Sequence, residues 1–181
     1  EKNLEIFKNF NGDEKNTLIK NIDLTTTAMG KRLLRRRLHL PITSRIILNN
    51  RKTAVSILKK TSAFSLIEKH LSNIHDLERI ISRIILNSAK PNDLKRLQGS
   101  LAIIKKIRND LLTLNLNDLL SMILCNLSSS KKILHLLEKA IVDMPSASVK
   151  EGCKIIKDGF DSKLDNARHT LKNREKIISE H

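Results

Sequence analysis

The clearest periodicity in the chain follows Asp76. Leu77, Ile80, Ile81, Ile84 and Ile85 recur at i, i+3, i+4, i+7 and i+8, the spacing of one apolar helix face. Leu77, Ile80, Ile81 and Ile84 are therefore expected in the structural core. Asp76 supplies an N-cap, and Glu78 and Arg79 are candidate internal ion-pair partners; with Arg79 adjacent, the acidic pair Asp76 and Glu78 reads as capping and ion pairing rather than acid–base chemistry. Upstream, Thr43 or Ser44 caps a helix to about Lys60 with Ile47, Ala54, Val55 and Leu58 inward, and a short helix covers Ser62 to Leu71. Downstream, Pro91-Asn92-Asp93 marks a turn and cap. A helix from about Asp93 to Leu112 buries Leu94, Leu97, Leu101, Ile104 and Leu111. Asn117 caps another through Leu127, and Ser128-Ser129-Ser130 breaks the chain before a helix to about Ile141.

The two ends are less regular. Residues Asn3 to Phe10 alternate loosely, which predicts a short strand, followed by a turn at Asn11-Gly12-Asp13 and a helical turn at Leu18 to Ile22. Thr25-Thr26-Thr27 offers caps for a helix from Ala28 to Leu38, stopped before Pro41. In that helix Met29, Leu33, Leu34 and Leu40 share one sector and Lys31, Arg32, Arg35 and Arg36 the other. Arg37 projects into the apolar sector, where a charge must snorkel out or find a partner. Gly30 costs this helix ~1 kcal/mol relative to Ala, so its presence predicts close packing against another element. Val149 to Gly159 reads as a short strand or hairpin arm, and a last helix starts near Asp161 with Leu164, Ala167, Leu171 and Ile178 on one side. No fixed-period repeat is visible, and the loops are short. The expected fold is mostly α: an irregular bundle of about six to eight helices, with one or two short β segments near the N-terminus and around 149–158.

Composition agrees. The chain has 181 residues, 40% hydrophobic and 29% charged, with only three Pro and five Gly to supply turns. That is a folded domain and leaves little turn chemistry for an all-β fold. The net charge of +15 is unevenly placed. Leu24 to Ile67 contains ten Lys or Arg and no Asp or Glu, and the remainder carries only +5. A local basic block faces DNA or an acidic partner, or is a plain solvated face. Cys125 and Cys153 are isolated and read as structural thiols in a reducing compartment. No apolar run reaches the ~18 residues that span a bilayer. The chain opens without Met and closes inside a helical pattern, which leads one to expect a piece of a longer polypeptide.

Catalytic patterns do not emerge. The five glycines are scattered, so there is no phosphate loop, and neither a Gly-x-Ser-x-Gly elbow nor a His-Glu-x-x-His is present. His70 and His75 straddle a helix break and make a poor metal pair. With no Tyr or Trp and four Phe, a base-stacking platform is not expected. Thr26 to Ile47 can be drawn as a helix-turn-helix, a pattern shared by many basic helical pairs. Phosphate-backbone contacts by Lys31, Arg32, Arg35 and Arg36 are the nucleic-acid candidates.

Several segments taken in order do point to a family. Asn3-Leu4-Glu5-Ile6 is followed by Gly12 and Thr17-Leu18, then by Asp23-Leu24-Thr25-Thr26-Thr27-Ala28-Met29-Gly30-Lys31-Arg32-Leu33-Leu34 and Leu38-His39-Leu40-Pro41. Asp76-Leu77-Glu78-Arg79-Ile80, Ala89-Lys90-Pro91-Asn92-Asp93-Leu94, Ala140-Ile141-Val142-Asp143, Gly152, Gly159 and Leu164-Asp165 complete the set. In this order and spacing they resemble the central core, or lever, domain of the MutS family of DNA mismatch repair proteins. Arg37 stands where family members often carry Trp, Lys90 where they often carry Arg, and Asn92 where they often carry a second basic residue.

The resemblance implies a helical connector with no catalytic site and no cofactor of its own. It would sit in a dimeric protein that binds mismatched duplex DNA and works with a MutL-like partner in the cytoplasm at the nucleoid. ATP and Mg would bind in another domain. Residues 1–160 would be the core and 161–181 the start of a long helix leading toward a clamp. The function implied is coupling of nucleotide state to clamping on mismatched DNA. The alternatives are an autonomous basic DNA-binding module using residues 24–67, and a protein-interaction adaptor.

Overall fold

A computed structural model describes residues 4–61, 63–127, 131–145 and 154–179, with side chains to Arg174 in the last stretch. These residues form α1 (Leu18–Ile22), α2 (Ala28–His39), α3 (Arg45–Lys60), α4 (Ala63–Leu71), α5 (Leu77–Ile85), α6 (Pro91–Leu112), α7 (Asp118–Asn126), α8 (Lys131–Ala140) and α9 (Ser162–Ser179). The fold is mostly α. Local chemistry sets the boundaries. Thr17, Thr27, Asp76 and Asn117 each accept a hydrogen bond from a first-turn amide of the helix they open, satisfying donors that have no partner within the helix. Asp161 does the same for α9 through the amides of Lys163 and Leu164. At the end of α5, Asn87 takes a φ of 52°; the amides of Asn87 and Ser88 return to the carbonyls of Ile84 and Arg83. This is a Schellman closure with Asn in the place glycine usually holds.

The long helix α6 organises the core. It packs against α4, α5, α7 and α8, while α3 packs on α4 and α7. Leu97 and Leu101 in its first half join Ile80 of α5, Leu134, Leu137 and Ala140 of α8, and Ile141. Ile107 and Leu111 in its second half join Leu124 of α7, flanked by Leu58, Ile67 and Leu71. Each fully buried Leu or Ile contributes ~1.5–3 kcal/mol over its exposed state. Beside the first cluster the fully buried Ser100 hydroxyl accepts from the amide of His75 at 3.0 Å. That bond fixes the α4–α5 connection against the middle of α6.

Several expectations need correction. Ile80 is 1% exposed, but Ile81 and Ile84 are 47% and 36% exposed and so lie at the surface of this chain rather than in its core; Leu77 is partly buried against the first cluster. The reason is geometric. Among the described elements α6 is the principal neighbour of α5, and one neighbour covers only part of a stripe this wide. Residues 4–10 do not form a strand: Glu5 has a φ of 44°, and the carbonyls of Glu5 and Ile6 accept from the amides of Leu18 and Ile19. The segment caps α1 instead. At the other end the β segment reduces to one antiparallel bridge, Ile141 with Ile156, while residues 146–153 lie outside the described set. Gly30 is tight against its own capping loop, not another helix. A Cβ there would sit 3.0 Å from Thr27 Oγ1, the same hydroxyl that accepts from the Gly30 amide.

Helix α2 buries none of its residues. A cleft of about 550 Å³, lined by Gly30, Leu34, Leu58, Phe64, Ile67 and Leu71, separates it from α3 and α4.

The burial pattern predicts an asymmetry within one helix. Ile80→Ala should cost about 2–4 kcal/mol in urea unfolding, and Ile81→Ala less than about 1 kcal/mol. Equal losses would place α5 in a different rotation.

Candidate functional site

With so little of α2 buried, charge attaches it to the bundle. Arg32 projects from α2 to the start of α5. Its Nη1 and Nη2 donate to the two carboxylate oxygens of Asp76 at 2.9 and 2.7 Å, and its Nε donates to Glu78 at 2.7 Å. A planar guanidinium satisfies a carboxylate in this two-pronged manner and a lysine cannot. Asp76 is only 19% exposed, and Glu78 is 57% exposed. The Asp76 carboxylate also accepts from the Arg79 amide at 3.3 Å, so one side chain both caps α5 and anchors α2. The Arg32 hydrogen bonds hold the Asp76 carboxyl below its ordinary value of 3.8, and Asp76 and Glu78 raise that of Arg32. The expected ion-pair role of Glu78 thus falls to a partner on α2. Arg79 is mostly exposed and lies 3.5 Å from Asp76.

A second set of bonds closes the same end of the bundle. Buried Asp93 opens α6, accepting from the Lys90 amide at 3.0 Å and from Arg83 Nη2 at 2.8 Å, which locks α5 to α6. Lys95 reaches Asp143 at 3.0 Å. Beside Asp143, the Val142 amide donates to the Ile155 carbonyl and the Lys157 amide to the Ala140 carbonyl. Arg168 of α9 donates to the Ile156 carbonyl at 3.1 Å and to Asp158 at 3.0 Å, and Asp165 accepts from the Gly159 amide at 2.8 Å. Bonds of these two sets thus reach the quoted segments around Arg32, Asp76, Asp93, Asp143 and Asp165. They form a polar framework around the N-terminal half of α6.

The sequence model of the family described as MutS domain III matches residues 1–180. This chain belongs to that family. MutS domain III is the core, or lever, domain of MutS-family mismatch repair proteins, so the resemblance carried by the ordered segments is shown. The Arg32 bonds give two of those segments, Gly30 to Leu34 and Asp76 to Ile80, a physical reason to occur together.

The structure redistributes the nucleic-acid candidates. Arg32 is held by Asp76 and Glu78, Arg35 by Glu14 at 2.6 Å, and Lys31 lies 3.7 Å from Asp23. Those three cations face acids of this same chain. Arg36 is exposed and has no carboxylate partner among the described residues. Arg37 has snorkelled out of the apolar sector and is exposed as well. Burial of part of its side chain and the charge of Arg51 both push its guanidinium below its ordinary value.

Sequence reasoning missed Asp93 altogether as an ion-pair residue, having read it only as a cap. Its burial and its Arg83 partner depend on the α5–α6 crossing. His70, weighed with His75 for metal, lies 3.2 Å from Asp110 instead. No cluster of three His, Cys, Asp or Glu suited to a metal occurs among the described residues. Cys125 is exposed, and Cys153 lies outside the described residues. Among the described residues no helix is long and apolar enough to cross a membrane. The arrangement is suited to holding elements in register.

The Asp76 bonds carry a pH signature. A carboxyl whose folded value is lowered stabilises the fold above its unfolded value, and the contribution disappears as pH falls through the lowered one. Asp76→Asn should therefore cost about 1–3 kcal/mol at neutral pH, and the gap to the parent chain should close below about pH 4. Urea midpoints for both proteins across this range check it; a gap independent of pH would mean the carboxylate charge is not what anchors α2.

Proposed function

We propose that this MutS domain III is a force-transmitting core that couples the nucleotide state of its parent protein to its grip on mismatched duplex DNA. Membership of the family carries the reading, and the packing supports it. One continuous helix, α6, carries two separate apolar clusters, so a push on either end reaches the other through a stiff element. Helix α2 joins that element by directed charge–charge bonds, which can break and re-form in a second arrangement more readily than an interdigitated core. Residues 1–160 act as the core, and α9 begins an arm leading toward the clamp. ATP with Mg binds in another domain of the parent protein, which dimerises and hands its signal to a MutL-like partner. Catalysis is not assigned to this segment. Coupling of this kind requires that the two arrangements differ in stability.

In the parent protein, Arg32→Gln should leave ATP-free affinity for a mismatched duplex nearly unchanged and slow ATP-triggered release by about fivefold or more. Stopped-flow release from labelled DNA measures this. Unaltered release in a variant whose melting temperature has dropped would reduce Arg32 to a structural residue.

A further inference from the structure

We propose that Arg168 is a two-position latch that sets how α9 leaves the bundle, exchanging Ile156 and Asp158 for Asp165 of its own helix. Helix α9 is attached only at its root. Of residues 162–174, Leu164, Asp165 and Arg168 alone are even partly buried, and the others are exposed. The anchor is the segment 154–158, which is itself bonded to the end of α8. The Val142 amide donates to the Ile155 carbonyl and the Lys157 amide to the Ala140 carbonyl, and Lys157 Nζ donates to the Glu138 carbonyl at 2.8 Å. Arg168 ties α9 to that anchor. Its Nη2 donates to the Ile156 carbonyl at 3.1 Å and its Nη1 to Asp158 Oδ1 at 3.0 Å.

The alternative partner stands beside it. Asp165 lies three residues before Arg168, a neighbour on the same helix face. Its Oδ2 accepts from the Gly159 amide at 2.8 Å. Its Oδ1 is buried, accepts no hydrogen bond among the described residues and lies 3.7 Å from Arg168 Nη1, about 0.5 Å beyond hydrogen-bond reach. A buried carboxylate oxygen without a donor is unfavourable and draws the guanidinium inward. The acid left behind is not stranded, because Asp158 Oδ2 keeps its bond from Lys154 Nζ. The two positions thus trade bonds of the same kind, the condition for two populated arrangements. In the first, α9 is braced against the segment 154–158. In the second the brace is gone, and α9 turns about Gly159, which has a φ of 78° and nothing within 4 Å of where a Cβ would stand. The inference does not depend on the coupling role, since the exchange involves only residues of this chain.

Distances between two spin labels, measured by pulsed electron paramagnetic resonance, test the latch. Labels are attached at Lys105→Cys on α6 and Lys172→Cys on α9, both exposed positions, in the 181-residue chain carrying Cys125→Ser and Cys153→Ser. This background should show one narrow main distance and a second, separate one at up to about 10%. Asp158→Asn weakens the first position and should raise the second distance to about half or more. Asp165→Asn keeps an oxygen for the Gly159 amide but removes the alternative charge, and should abolish the second distance. Arg168→Gln breaks both positions and should give a single broad distribution. The same broadening in Asp158→Asn and Arg168→Gln, with no second distance, would show a simple structural tie and overturn the proposal. So would a second distance that survives Asp165→Asn, or a distribution unchanged in all three variants.

Discussion

Everything in this structure hangs on the burial of one helix along its length. The stripe Leu97, Leu101, Ile107 and Leu111 follows a single face of α6, and each half of the stripe is covered by different helices. If α6 bent or broke between Leu101 and Ile107, the two clusters would lose their common frame, and α5 and α8 would no longer be fixed relative to α4 and α7. Just before that junction, the Ser100 hydroxyl accepts from the His75 amide. A buried hydroxyl with a single directed partner there resists sliding as well as separation, because the bond is lost whichever way the connection moves.

The contrast with α2 is informative. Apolar burial fixes α6; directed charges fix α2. Burial is non-directional and tolerates small shifts, whereas a guanidinium that meets two carboxylates is satisfied in one geometry. The bundle thus combines a stiff bar with an element held by directed bonds that has little apolar area to lose on leaving its docked position. The neighbouring cations divide accordingly. Lys31, Arg32 and Arg35 meet acids of this chain, while Arg36 and Arg37 at the end of α2 are exposed.

Helix positions were legible in the sequence to within a residue or two because their signals are local. Thr27, Asp76 and Asn117 cap the helices they were expected to cap, the last helix starts next to Asp161 as expected, and the α6 stripe follows its 3.6-residue period. What was not legible depends on neighbours. Periodicity shows that Ile80, Ile81 and Ile84 share a face, but which of them is covered depends on how many helices pack there. Composition shows a basic block but not which of its cations are neutralised, since Arg32 and Asp76 are 44 residues apart. The N-terminal segment alternates like a strand, yet no neighbouring strand exists for it among the described residues, and its carbonyls serve the free amides of α1 instead.

Native-state hydrogen exchange along α6 tests the central claim most directly. If the helix is one rigid bar, amides near Leu97 and Leu101 and those near Ile107 and Leu111 should exchange with the same free energy of opening, the highest in the chain, and Ile80→Ala should lower both sets together. Two distinct opening energies, with only the first set responding to Ile80→Ala, would contradict it and describe two independently stable halves.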